Sequence, residues 1–555
     1  MDTQALKEKI RQLEGLTDEE RNGLLALLNH QKKYGLVWEE KPEEVEERLR
    51  VQLPVLEEVK ERALLSNDPA APNHILIEGD NLEALVALTY THEGKVDVIY
   101  IDPPYNTGNK DFSYNDSFVD AEDGYRHSKW LSFMSKRLKI AKQLLSDRGV
   151  IFISIDDNEQ AQLKLLCDEV FGEKNGIGSI VWFKKRKGSF LSNKLVSMTE
   201  YILPYGQNSD IKLFGGVPSN NESQPIIKRT NSMKVLSFAQ NVIKTKLPNG
   251  IYRKGIYGEG SSASELLEDA IVSNGYFVST VRIRAPFVWG QEFLNAEIKN
   301  GTEVLINTMN FQVRVIRHNN DSIKAFPSFI DGREDNATNE DAYELLKSMF
   351  NVDSPFKYSK PVNLIKKLLL ANSYFDKSAT ILDFFAGSGT TLHATMQLNK
   401  EDGGHRQCIL VTNNENKICE EVTYVRNKRV IQGYVTPKGE FVEGLKANTL
   451  RYYRTKLLPR VDTNQNRRAL MAACTELLCI EQDLYEEQPC FAGRKLNPRK
   501  ARYFAQGKRR MLVIYDEQTV DTFAELLREM EVEERIRIYL FSFNGYPHTD
   551  NFMEV

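Results

Sequence analysis

Two stretches of the chain alternate short, almost wholly apolar runs with amphipathic helical patterns. In the first, His74–Asp80, Val96–Ile101 and Gly149–Ile155 read as strands, with helices at Leu82–Leu88, Trp130–Leu145 and Gln160–Val170. In the second, Thr380–Asp383 and Gln407–Thr412 read as strands, with helices at Pro361–Ala371 and Thr390–Leu398. A strand that is apolar at every position must be covered on both faces, and strands joined through helices run parallel. The fold class expected is therefore α/β, a doubly wound, mostly parallel, Rossmann-like sheet.

Other textures surround these two stretches. Residues 1–68 are predicted to form an N-terminal helical segment, because Leu6, Ile10, Leu13, Leu16, Leu24, Leu25, Leu27 and Leu28 recur at helical spacing. The acidic run that follows, Glu39–Glu47, reads as a solvated helical face or as a partner-binding arm. Residues 69–204 form one half of the α/β unit and 351–435 the other. Between them, 205–350 is rich in glycine and short strand-like runs and far too long for a loop, so it is expected to be an inserted domain. Residues 436–555 end in a strand, helix, strand pattern at 510–515, 520–530 and 536–541, a small C-terminal α/β domain. The net charge of −4 argues against an indiscriminate nucleic-acid coat and leaves room for a local basic cleft. Six scattered cysteines without a CxxC pair exclude a disulfide framework and make a zinc knuckle and any other metal site unexpected. No apolar run approaches the ~20 residues of a membrane span. No signal core opens the sequence. A cytoplasmic protein without membrane contact is expected.

Two strand ends carry chemistry. Asp102-Pro103-Pro104-Tyr105 follows Val96–Ile101, and Asp383-Phe384-Phe385-Ala386-Gly387-Ser388-Gly389 follows Ile381-Leu382. In a parallel sheet, ligands bind outside the carboxyl ends of the strands. The two prolines stiffen their turn and cannot donate hydrogen bonds, so neighbouring carbonyls become fixed acceptors. With the Asp102 carboxylate and the Tyr105 ring, that set suits a planar base bearing an exocyclic amine. Gly387 and Gly389 allow a tight turn and close backbone approach. The dinucleotide fingerprint fails, because Leu392 stands at its third glycine, and the chain has no GxxxxGK[ST] phosphate loop.

This combination resembles the β-class DNA amino-methyltransferases, in which the Asp-Pro-Pro-Tyr motif precedes a target-recognition domain and the Phe-x-Gly-x-Gly motif follows it. The wider pattern is similar to the modification subunits of type III restriction–modification systems. Supporting matches are Ile77–Leu85, Gly149–Asp157, Lys360-Pro361 and Val411–Asn416. The resemblance implies a circularly permuted methyltransferase sheet with S-adenosylmethionine as cofactor. It also implies that the insert reads double-stranded DNA and that a flipped-out adenine is methylated on N6, the base being unreachable inside a duplex. Asp102 and the Pro103 carbonyl would hold the amine, stiffened by Pro104, with Tyr105 stacking on the base. Asp80 and Asn81 would meet the cofactor's adenine. Asp383, Phe385, Gly387 and Gly389 would form its floor, and Glu415 or Asn413 would bond its ribose. Lys360 would open the remaining cofactor motif; its alternative is an exposed lysine at a helix start. Lys184, Lys185, Arg186 and Lys187, and a second cluster between Arg494 and Arg510, are the candidate nucleic-acid contacts. A homodimer and a helicase–nuclease restriction subunit are the implied protein partners. A stand-alone enzyme, cytosine-N4 or RNA as target, and a catalytically lapsed specificity subunit are the alternatives.

Overall fold

The computed structural model describes residues 36–108, 111–114, 117–188, 195–218, 223–260, 263–318, 323–350, 356, 358–461, 463–530, 535–542 and 548–552, besides Gly15 and Thr17. The helical pattern of leucines expected over the first 28 residues lies outside them. The chain divides into two compact units, residues 213–326 and the remainder.

The larger unit is built on ten strands: β1 (Gln52–Glu58), β2 (Asn73–Glu78), β3 (Val96–Ile101), β4 (Leu145–Ile155), β5 (Ile180–Phe183), β6 (Thr199–Gly206), β7 (Phe329–Asp331), β8 (Thr380–Asp383), β9 (Gln407–Thr412) and β10 (Thr449–Pro459). They lie in the order β1-β10-β2-β9-β8-β3-β4-β6-β5-β7. The six central strands from β10 to β4 are mutually parallel. Antiparallel pairings occur only toward the edges, at β1/β10, β4/β6 and β6/β5. Ile75, Ile77, Ile99, Ile101, Ile151 and Ile153 turn to one core, shared with α2 (Asn81–His92) and α3 (Arg126–Leu144). The intervening Leu76, Val98, Tyr100, Val150 and Phe152 are equally buried. They require a second helical layer, which includes α6 (Val362–Ser373) and α7 (Thr390–Asp402), packed on each other. This is the doubly wound arrangement expected from apolar strands.

The N-terminal expectation needs correction. Only Glu44–Val51 (α1) is helical between residues 36 and 68 apart from one 3-10 turn, and 52–58 is the edge strand β1. Val55 and Leu56 are buried against the sheet, and Pro54 fits because an outermost strand tolerates a missing donor. The inserted unit is also narrower than 205–350. Residues 205–206 complete β6, and 327–350 return to the larger unit as β7 and α5 (Asn339–Phe350). Those pieces were masked by short length and polar residues.

The unit 213–326 consists of a seven-stranded and a four-stranded sheet, with a two-stranded ribbon and one helix, Gln291–Lys299. Both larger sheets bury alternate side chains in one core, as where Val281, Ile283 and Ala285 point in while Arg282 and Arg284 point out. The last hundred residues form a four-stranded sheet with the helices Asn464–Gln482 and Val520–Glu529, the first of which packs on β1 and α2. No helix among the described residues is long and apolar enough to cross a membrane.

Ile99 lies at the sheet centre, fully buried between β8 and β4. Ile99→Ala removes buried carbons from a site with no room to collapse. It is expected to cost about 2–5 kcal/mol, read as a lower urea midpoint with unchanged slope.

Candidate active site

β3 and β8 are neighbours and run parallel, with Ile381 opposite Val98 and Leu382 opposite Ile99. Their carboxyl ends therefore emerge side by side. Asp102, Pro103, Pro104 and Tyr105 leave one, and Phe384, Phe385 and Gly387 leave the other. Together they line one cavity of about 830 Å³, which also takes in Asp80, Asn81, Asn413 and Glu415.

The proline turn is held from behind. The buried Trp130 indole on α3 donates to the Pro104 carbonyl at 2.7 Å. Among the described residues nothing donates to the Pro103 carbonyl. Asn106 takes a positive φ of 57° at the turn's exit, and its amide donates to the buried Glu159 at 2.5 Å. Tyr105 Oη donates to Asp102 Oδ1 and to Glu200 Oε2, both at 3.0 Å, which fixes the plane of the ring.

Lys360 is not an exposed lysine: it lines the same cavity, with its side chain 9% exposed. Its ammonium reaches both carboxylate oxygens of Asp102 at 2.8 Å and Tyr105 Oη at 2.9 Å. Burial raises the Asp102 carboxyl above its usual range, against the pull of the Lys360 charge. Burial also acts to lower Lys360, but Asp102 and Glu200 outweigh it and hold the ammonium above its usual value.

The glycine turn is organised by hidden groups. Asp383 is 2% exposed and does not line the cavity. One oxygen accepts from the Phe385 N–H at 3.0 Å and the other from the Thr391 hydroxyl. Gly389, at φ 75°, caps α7, and a Cβ there would lie 2.5 Å from Asn427 Nδ2 and 3.0 Å from Thr423 Cγ2. Its glycine is required by packing beneath the turn rather than by a ligand's approach path. Gly387, at φ 48°, is the glycine on the cavity wall. Below it the buried Arg426 donates to the hydroxyls of Ser359, Ser388 and Thr390, and burial without an anion lowers its guanidinium to about 9.

Asp80 caps α2, accepting from the N–H groups of Leu82 and Glu83. Asn81 spans the cavity floor, donating to the Phe384 carbonyl at 3.2 Å and accepting from Arg137 Nε at 2.5 Å. Arg137 in turn binds both oxygens of Glu43, so one member of the acidic run is a buried ion-pair partner rather than a solvated face. Asn414 is pinned to Glu78 and to the Glu420 N–H, leaving Asn413 and Glu415 on either side of it at the cavity.

The basic run divides. Lys184 is 8% exposed, lines the cavity and is paired with Glu200 at 2.9 Å rather than standing free on the surface. Arg186 pairs with Asp341. Lys185 lines the cavity and Lys187 is exposed. In the C-terminal cluster, Lys500, Arg502 and Arg509 pair with Asp516, Glu487 and Asp483.

Glu200 and Arg137 were not singled out from sequence. Glu200 offered one signal, a lone carboxylate opening the apolar run Tyr201-Ile202-Leu203.

The sequence profile of a family described as DNA methylase matches residues 96–424, spanning both strand-end motifs. The chain belongs to that family. The StyLTI modification subunit of a type III restriction–modification enzyme from Salmonella typhimurium is 31% identical over 394 residues, 64% of this chain and 55% of the relative. The EcoPI modification subunit from Escherichia phage P1 is 31% identical, covering 62% of this chain and 58% of the relative. The type II methyltransferase M.KpnI from Klebsiella pneumoniae is 32% identical, covering 66% of this chain and 86% of the relative. The chain thus spans little more than half the length of these type III relatives.

Burial pushes Asp383 up to about 7 from an ordinary 3.8. An acid raised on folding is bound more tightly to its proton in the native state. Its stabilisation is complete below about pH 4 and is lost as pH climbs through about 7. Asp383→Asn is therefore expected to gain stability relative to wild type between about pH 5 and pH 8, compared through urea midpoints at the two values.

Proposed function

We propose that this chain transfers a methyl group from S-adenosylmethionine to N6 of an adenine flipped out of double-stranded DNA. The observation that carries this reading is the meeting of the Asp102 and Gly387 turns on adjacent parallel strands over one cavity, within a chain of the DNA methylase family. The cavity suits the cofactor. Its volume lies in the usual range for small-molecule sites, ~300–1,000 Å³. Its walls offer the flat rings of Phe133 and Phe385, the carboxylates Asp80 and Glu415, and a close backbone at Gly387. Asp80, Asn81, Phe385 and Gly387 would hold the cofactor, with Asn413 or Glu415 at its ribose and Asp383 and Gly389 bracing the turn from below. When bound, it supplies a methyl group on a positively charged sulfur.

The rest is the protein's part. Adenine N6 is a poor nucleophile, because its lone pair is delocalised into the ring. Asp102 and the Pro103 carbonyl accept the two N–H bonds and draw the nitrogen toward a tetrahedral shape, freeing that pair. The Asp102 carboxylate also stands where positive charge develops on the nitrogen, placed to accept the proton that the methylated amine loses. Tyr105 presents its ring to the extruded base. Pro104, tied to Trp130, keeps the acceptors in place.

DNA contact falls to residues 213–326, which hold 13 Lys and Arg against nine Asp and Glu in a chain whose net charge is −4. Lys185 and Lys187 stand as further phosphate contacts beside the cavity. The likeness to type III modification subunits supports assembly, as a homodimer, with a helicase–nuclease restriction subunit in the cytoplasm. A second reading, a stand-alone methyltransferase, draws on the 86% coverage of the type II relative M.KpnI. Co-purification of a second polypeptide separates the two.

Base-resolved mapping of DNA from cells expressing the chain tests the target. N6-methyladenine at one short sequence is expected, and N4-methylcytosine overturns the adenine assignment. Asp102→Ala is expected to lower labelled-methyl incorporation into plasmid DNA by at least about 100-fold, within the range for removing one catalytic group. Calorimetric affinity for S-adenosylmethionine is expected to stay near wild type.

A further inference from the structure

One of the two acceptors that a target amine requires, the Asp102 carboxylate, is already engaged. Lys360 Nζ lies 2.8 Å from both oxygens of Asp102. The Lys360 side chain is only 9% exposed, so water offers its charge little compensation. An amine that binds Asp102 competes with this ammonium for the carboxylate, and a buried cation that loses part of its anion is unfavourable. A second carboxylate stands within reach. Glu200 Oε2 lies 3.5 Å from Lys360 Nζ and accepts from Tyr105 Oη, while its Oε1 is held by Lys184. Glu200 is itself 6% exposed, although it opens a strand whose other buried positions, such as Ile202 and Leu203, are apolar. Nothing in the amine-binding scheme above uses it, and burying a carboxylate beside a second, partly buried one is costly without a purpose in charge balance.

We propose that Glu200 is a positioning residue that receives Lys360 from Asp102 when the target amine arrives, with Lys184 fixing Glu200 so that Oε2 faces the lysine. Lys360 then never lacks an anion, and Asp102 is freed for the base without opening the centre to water. In the resting protein the same lysine keeps Asp102 and Tyr105 in their working positions. This inference rests on the reading of Asp102 as the amine acceptor.

Glu200→Gln keeps the shape and the acceptor for Tyr105 but offers Lys360 no charge. Wild type and variant are compared in full-length form, with plasmid DNA carrying the mapped site. For the variant, kcat is expected to fall on the order of 100-fold, the scale of a misplaced reacting group. KM for DNA and calorimetric affinity for S-adenosylmethionine are expected to stay within about threefold, since the residue is proposed to act through Lys360 rather than on either ligand. Glu200→Asp, which restores the charge one carbon further back, is expected to recover at least about tenfold of the lost rate. A fall below about tenfold for Glu200→Gln, an aspartate no better than the glutamine, or loss of cofactor binding in the glutamine variant each overturns the proposal; the last marks a merely structural residue. A wild-type protein that transfers no methyl group removes the functional reading and this inference with it. An active wild type with an unimpaired Glu200→Gln removes the inference alone.

Discussion

The pairing of β8 with β3 is the constraint on which the site depends. The four residues of β8 carry the glycine turn, which is also tied to β9 by the Ala386 N–H on the Val411 carbonyl. They hydrogen-bond on one side to β9 and on the other to β3, which carries the proline turn. Two turns separated by nearly 300 positions of chain are thereby set next to each other with their carbonyl ends aligned. Helices on both faces bury the side chains of the central strands, so a slip in register would misfit the close packing of both layers at once. The geometry of the cavity inherits its definition from that register.

Charge is then arranged in layers around the cavity. Asp102, Tyr105, Lys360, Glu200 and Lys184 form one continuous buried cluster, two acids against two bases joined by a phenol. Such a cluster is weak evidence for stability, because desolvation offsets attraction. Its presence makes sense as a device for holding direction at one carboxylate. Under the glycine turn the logic differs. Among the described residues Arg426 meets hydroxyls, the Ser388 carbonyl and the His393 ring but no carboxylate, and Asp383 meets donors, so each braces the turn without lining the cavity. Arg137 joins the two regions, linking Glu43 on the entry to α1 with Asn81 on the cavity floor.

Family membership and site geometry point the same way by independent routes. The profile match spans residues 96–424 and says nothing of side-chain direction. The geometry explains why the Asp102 turn and the Gly387 turn must both persist in such a chain, since each supplies one wall of the same cavity. The portion of the type III relatives that this chain does not span leaves assembly with other subunits to experiment.

By itself the sequence determined the strand and helix order of the α/β unit, because apolar runs bounded by turn residues leave few alternatives in a parallel sheet. It also determined which two turns carry chemistry, since proline and glycine restrict backbone form locally. Tertiary structure alone decided what each charged side chain does. Lys184 and Lys360 look like exposed lysines in the linear chain, yet both are buried against carboxylates brought from β6 and from the proline turn. Gly389 reads as a ligand-facing glycine, yet it yields to Asn427 and Thr423 on a later helix. Edge strand β1 reads as helix, because its pairing partner, β10, lies some 400 residues away in the chain. Backbone preference is local and survives in the sequence; the partner of a charge is set by folding and does not.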